Sequence, residues 1–197
     1  MNLEKCVSML ELRGHRVKVF DTGTEAAEYI SDSVKNTEVG IGGSMTVNQI
    51  GLYDKLAENN TVYWHWKVKG TETIKKANEA PVYITGVNAM SEDGEILNID
   101  GNGNRLAAQV YGKKKVFFVT GTNKICEDFD SALIRARNVA AVKNQKRFEG
   151  NPPCKIDDIC HDCRSSDRGC KALLVIWGPM KCGMETEVII IKEELGF

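Results

Sequence analysis

Two groups of residues in this chain have the types and spacing of ligand-holding or reactive chemistry. The first is Gly86 to Gly112, GVNAMSEDGEILNIDGNGNRLAAQVYG, which collects Asn88, Asn98, Asp100, Gly101, Gly103, Asn104 and Arg105 just ahead of a helical LAAQVYG. Glycine lets backbone approach a ligand closely, Asn and Asp bond locally to backbone, and a helix opening after Asn104 would turn free N–H groups toward an anion. The SEDGE turn makes Met90 to Leu97 a hairpin. That leaves Asp100 to Arg105 for a polar ligand pocket, in which Asp100 is the candidate proton shuttle and Arg105 and Lys124 are cations for a small anionic or phosphorylated ligand.

The second group is Cys154, Cys160, Cys163 and Cys170, spaced C-x5-C-x2-C-x6-C in a polar segment, 151–171, that follows Pro152 and Pro153 and precedes two β runs. Four converging thiolates can hold Zn²⁺ or a [4Fe–4S] cluster. The spacing matches neither a ferredoxin run nor paired zinc knuckles, so iron–sulfur, zinc and a metal-free thiol loop all stand open, with His161 able to replace one ligand to zinc. Cys6, Cys126 and Cys182 are expected to be packing residues.

Around these groups the pattern is of strands separated by helices. RVKVF, EVGIGG, VYWHW, VYITG and VFFVTGTNK are strand-like, while the helical segments include residues 2–13, EAAEYISDSVK, VNQIGLYDKLAEN, Thr71 to Ala80 and DFDSALIRARNVAAVKNQKRF. This implies an α/β sandwich with helices on both faces of a mostly parallel sheet. The last runs, ALLVIWG and TEVIIIKEELGF, are joined closely enough to form an antiparallel edge. Ligands in such sheets bind at the carboxyl ends of strands, and three polar exits fall there: Gly42, Gly43 and Ser44; Thr85 to Asn88; and Thr120 to Lys124, with Asn123 among them. His65, between two tryptophans, is expected to be a packing or interface residue. Arg135 and Arg137 are expected to face solvent.

With 197 residues, 26 basic and 27 acidic, the chain carries a formal net charge of −1, which does not suit nucleic-acid binding, and Lys113 to Lys115 is expected to be a solvated turn. No apolar run is long enough to span a bilayer, and Met1 opens into an amphipathic helix rather than a signal peptide, so no membrane partner and a cytoplasmic location are expected. VYWHW and the apolar terminal strands suit a homodimer.

GGSMTVNQIGL, the whole of Gly86 to Gly112, VFFVTGTNKI and SALIRARNVAAVKNQKR together resemble the LUD domain of lactate utilisation proteins. The similarity spans residues 1–197 as a single domain, with the terminal cysteines and EELGF resembling the short branch of the family. The resemblance implies a Rossmann-like three-layer sandwich of the ribose-5-phosphate isomerase, glucosamine-6-phosphate isomerase and CoA-transferase type. It also implies an accessory ligand-binding role in oxidation of L-lactate to pyruvate beside iron–sulfur oxidoreductase subunits. It carries Gly42, Gly43 and Ser44 as a first ligand loop, Asn88, Asn98, Asp100, Gly101, Gly103, Asn104 and Arg105 as a second, and Asn123 and Lys124 as a third. A ligand-sensing domain with structural zinc and a sugar-phosphate isomerase-like enzyme are the alternatives.

Overall fold

A computed structural model describes residues 1–197. Ten strands, β1 (Arg16–Phe20), β2 (Glu38–Ile41), β3 (Thr61–Trp64), β4 (Val82–Gly86), β5 (Ala89–Ser91), β6 (Ile96–Asp100), β7 (Lys115–Gly121), β8 (Ile125–Cys126), β9 (Ala172–Ile176) and β10 (Glu185–Ile191), form two sheets. The main sheet is wholly parallel, in the order β1-β10-β7-β4-β2-β3. The smaller sheet runs β8-β5-β6-β9 and contains the expected hairpin, with Met90 opposite Ile96.

Alternation along the central strands explains the layering. Phe117, Val119, Ile189 and Ile191 face one core with α2 (Gly23–Ser33), α3 (Met45–Gln49) and α4 (Leu52–Ala57). Val116, Phe118, Val188 and Ile190 face the other, with α1 (Leu3–Leu12), α5 (Thr71–Glu79) and α6 (Asn104–Val110). Strands covered on both faces are the parallel-sheet signature, and the result is a Rossmann-like three-layer sandwich. Gly40 illustrates how closely the layers meet, because a Cβ there would collide with the Ala77 backbone of α5.

Three expectations are corrected. The last two strands do not pair with each other: β10 lies between β1 and β7, because Val188 to Ile191 are apolar toward both cores, while β9 pairs antiparallel with β6 in the other sheet. Lys113 and Lys115 are not a solvated turn. Lys113 is buried and donates to the carbonyls of Asn78 and Ala80, and Lys115 pairs with the buried Glu187 at 2.6 Å. Cys182 is exposed rather than packed, whereas Cys6 is in the core. The predicted long helix is present as α7 (Phe129–Arg135), a π stretch over Ala136–Ala141 and α8 (Val142–Gln145). The cysteine segment is irregular apart from the short α9 (Cys154–Asp157). No helix is long and apolar enough to cross a membrane.

Candidate functional site

Because β2, β4 and β7 are parallel neighbours, their three polar exits open at one rim. There they enclose a cavity of about 220 Å³ whose wall includes Gly43, Ser44, Asn88, Asp100, Asn104, Arg105 and Lys124. Ser44 leaves β2 in extended conformation and caps α3, accepting from Val47 N at 3.2 Å.

Arg105 is the hub of this rim. Its Nη1 donates to Asn98 Oδ1 at 2.6 Å and Gly86 O at 3.3 Å, and its Nη2 donates to Ile99 O at 2.6 Å and Asn88 Oδ1 at 3.2 Å. Asn98 is fully buried and passes the network on, accepting from Asn88 N and donating to Gln109 Oε1 at 2.9 Å. The guanidinium fork therefore ties β4 to β6, and only Nε, 3.8 Å from Asp100 Oδ2, is left. Gly42 stands behind it: a Cβ there would come within 3.1 Å of Arg105 Cδ and 2.9 Å of Tyr83 Oη.

Asp100 ends β6 and bends the loop after it, its Oδ1 accepting from Gly101 N at 2.7 Å and Asn102 N at 3.2 Å. Its Oδ2 is buried with no hydrogen-bond partner. Gly103 precedes α6 at φ 78°, a left-handed turn that suits glycine. Of the predicted residues, Gly42, Asn98, Gly103 and Asn123 are not on the pocket wall: Asn98 is fully buried, and a Cβ on Gly103 would meet nothing within 4 Å. Gly101 lines the adjoining space, and Asn123 Oδ1 holds Leu195 N at 3.2 Å.

Lys124 sits in a 3₁₀ turn after β7 and is almost wholly buried, donating to Thr46 Oγ1 at 2.8 Å and Val87 O at 3.1 Å. Burial, reinforced by Arg135 and Arg105, pulls its amine down to about 7. Arg135 corrects the solvent expectation, since it turns inward and donates to the carbonyls of Asn123 and Asn88. His65 stands half-buried in the pocket wall, its imidazole held below its ordinary range by burial, against the opposing pull of Asp100.

The sequence reading missed Arg147, Asn144 and Phe148, all on the pocket wall. Arg147 lies over Trp66, 4.3 Å from the ring centroid, and Trp66 stacks on Trp64 at 5.3 Å, so an aromatic pair holds a second cation at the mouth. The signal was the pair of tryptophans flanking His65, which needs a cationic partner to become meaningful.

The four cysteines Cys154, Cys160, Cys163 and Cys170 line a second cavity of about 250 Å³, and all seven cysteines of the chain are free thiols. Burial pushes the Cys154 thiol up, and its three neighbours add to the shift. Arg168 donates to the carbonyls of Cys163 and Cys170 at 2.8 Å each, and Arg137 Nη2 lies 3.7 Å from Cys160 Sγ. Arg137 thus reaches the cysteines rather than only solvent. His161 is exposed and bonded to Asp157 at 2.7 Å. No three His, Cys, Asp or Glu side chains converge tightly enough around one point to hold a single metal ion.

Residues 3–191 match the LUD domain. This chain belongs to the LUD domain family. A solved structure of a DUF162 family protein from Deinococcus radiodurans is similar to this LUD domain across 96% of this chain and 95% of that one, at 12% identity and a TM-score of 0.58. That likeness speaks to the fold. A solved eIF2B beta from Chaetomium thermophilum matches over 65% of this chain and 44% of that one, at 18% identity and a TM-score of 0.32. No curated protein matches this chain.

Proposed function

We propose that this LUD domain binds a small organic anion in its rim pocket, carries an iron–sulfur cluster on Cys154, Cys160, Cys163 and Cys170, and serves as an accessory subunit in oxidation of L-lactate to pyruvate. The observation that carries the reading is the pairing of two features in one chain: a pocket whose wall carries Arg147 and Lys124, the latter with one ammonium proton beyond its bonds to Thr46 and Val87, and a cavity lined by four free thiols. Oxidising the hydroxyl-bearing carbon releases two protons and two electrons, and iron–sulfur oxidoreductase subunits are the acceptors this role requires.

Four thiolates are a donor set that a structural zinc and an iron–sulfur cluster both take, and the redox role proposed here calls for the cluster. A mononuclear site needs its sulfurs about 2.3 Å from a single point, whereas a cubane takes each thiolate at a separate iron and so needs a wider cage. When bound, such a cluster would supply one-electron chemistry. Arg137 and Arg168 would offset the negative charge of the thiolates that hold it.

An isomerase-like reading has less support, because Arg105 has spent four donor contacts on protein acceptors and is poorly placed to grip a phosphate. The ligand half is tested by thermal unfolding with L-lactate, pyruvate and ribose 5-phosphate. A ligand at about 100 times its Kd stabilises the native state by about 2.7 kcal/mol. A rise in Tm with the 2-hydroxy or 2-oxo acid is expected. A rise with ribose 5-phosphate alone would transfer the proposal to the isomerase class.

A further inference from the structure

A third space of about 270 Å³ lies between the rim pocket and the cysteine cavity and shares lining residues with each. Asp100, Asn102 and Asn144 line both the rim pocket and this middle space, and Gln145, Gly169 and Cys170 line both the middle space and the cysteine cavity. Each chamber alone is smaller than the roughly 300–1,000 Å³ usual for ligand sites, but joined they fall within that range.

The join is fixed by backbone rather than by mobile side chains. Asp100 O accepts from Lys171 N at 2.9 Å, and Asp100 stands opposite Ala172 in the β6–β9 ladder. Gly101 passes so close to Gly169 that a Cβ would lie 2.6 Å from the Gly169 carbonyl oxygen. The pocket loop and the cysteine loop are thereby pinned together on either side of Cys170. Ile99 lines all three spaces and so forms a continuous apolar strip between the rim and the thiols.

We infer that these three chambers are one cleft, in which an organic anion seated near Lys124 and Arg147 extends toward Cys170, so that whatever the four thiols hold is in contact with the ligand. The inference rests on the proposal that the rim pocket takes such an anion. It adds that Cys170 is the ligand-side member of the four. The cysteine segment is then a wall of the ligand site and not a remote clip.

The probe is 3-bromopyruvate, an organic anion with an electrophilic carbon. It is used on the full chain after reduction and chelation, so that the thiols are unmetallated. The Cys170 thiolate displaces bromide, forming a carbon–sulfur bond as the carbon–bromine bond breaks, and peptide mass mapping locates the adduct. The exposed Cys182 is the internal reference. Saturable labelling at Cys170 about tenfold faster than at Cys182, slowed about tenfold by pyruvate at Cys170 alone, is the expected result, because a bound electrophile reacts at a high effective concentration.

Ala141 lines the middle space and the cysteine cavity but not the rim pocket, so Ala141→Phe is expected to block the passage. The variant should keep the pyruvate-induced rise in Tm and lose the fast labelling. If pyruvate raises Tm in the unsubstituted protein but labelling follows exposure and is unprotected, the single cleft is overturned and the rim pocket stands. If pyruvate neither raises Tm nor protects Cys170, the pocket reading and this inference fall together.

Discussion

Arg105 Nη1 and Asn98 Oδ1 lie 2.6 Å apart, a charge-assisted bond from α6 to β6 that fixes the floor of the rim pocket. Through it one cation holds the β4 exit, the end of β6 and the loop beginning at Asp100 in a single arrangement. The residue that looked most like an anion clamp in the sequence is thus the pocket's internal frame. In the proposed reading the work of meeting an anion falls to Lys124 and Arg147.

Replacing Arg105 should accordingly damage the fold as much as binding. Arg105→Met removes four hydrogen bonds donated by a charged group, leaving Asn98 Oδ1 only Asn88 N and Asn88 Oδ1 only Ile99 N, and at about 1.5–3 kcal/mol for such a bond a total loss of about 3 kcal/mol or more is expected in urea unfolding. Arg105→Lys should recover only part of it, since an ammonium cannot reproduce the planar fork. A variant as stable as the parent would show that the network is not a frame.

Gly42→Ala offers a milder route to the same hub. The added methyl would press on Arg105 Cδ and Tyr83 Oη, and a cost of about 1–3 kcal/mol is expected from overpacking, together with weaker pyruvate binding. Unchanged stability and binding by thermal shift would mean the rim gives way without consequence.

Lys124 sets the pH dependence of the pocket. Its amine is protonated below about 7 and neutral above, so affinity for pyruvate, whose charge is constant across this range, should fall as pH rises from 6 to 8.5. Calorimetric titration across this range checks the trend, and Lys124→Met should bind weakly at every pH with the slope removed. A slope that survives in the variant would assign it to another group.

His15 provides a separate acid-lability. It is 3% exposed, its Nδ1 lies 2.7 Å from Thr186 Oγ1, its Nε2 has no partner, and burial followed by the Arg13 charge lowers its imidazole from 6.5 to about 4. The folded state keeps the ring neutral where the unfolded chain takes up a proton, so stability is full above pH 6.5 and is lost as pH falls toward 4. The loss is up to about 3 kcal/mol at about 1.4 kcal/mol per unit. His15→Asn should show a shallower fall of Tm over this window than the parent, and equal slopes would refute the assignment.

The rim was legible in the sequence because glycine and amide exits from parallel strands carry their meaning locally: Gly42 to Ser44, Gly86 to Asn88 and Thr120 to Lys124 needed only the sheet order to meet. The place of β10 was not legible. A short connection makes two β runs look like a hairpin, and only the apolar character of Val188 to Ile191 toward both faces decides that the strand is central. Arg147 escaped for a similar reason. In KNQKRF it reads as a solvated helix end, and its role depends on Trp66, 81 residues earlier in the chain, passing beneath it.

The most direct test of the account is to purify the LUD domain anaerobically and quantify iron, acid-labile sulfide and zinc on one sample. About four irons with matching sulfide per chain and a broad visible absorbance, abolished by Cys163→Ser, are predicted for a [4Fe–4S] centre. Colourless protein with about one zinc, or with no metal after reconstitution, would contradict the redox role and leave the anion pocket as the working part of the molecule.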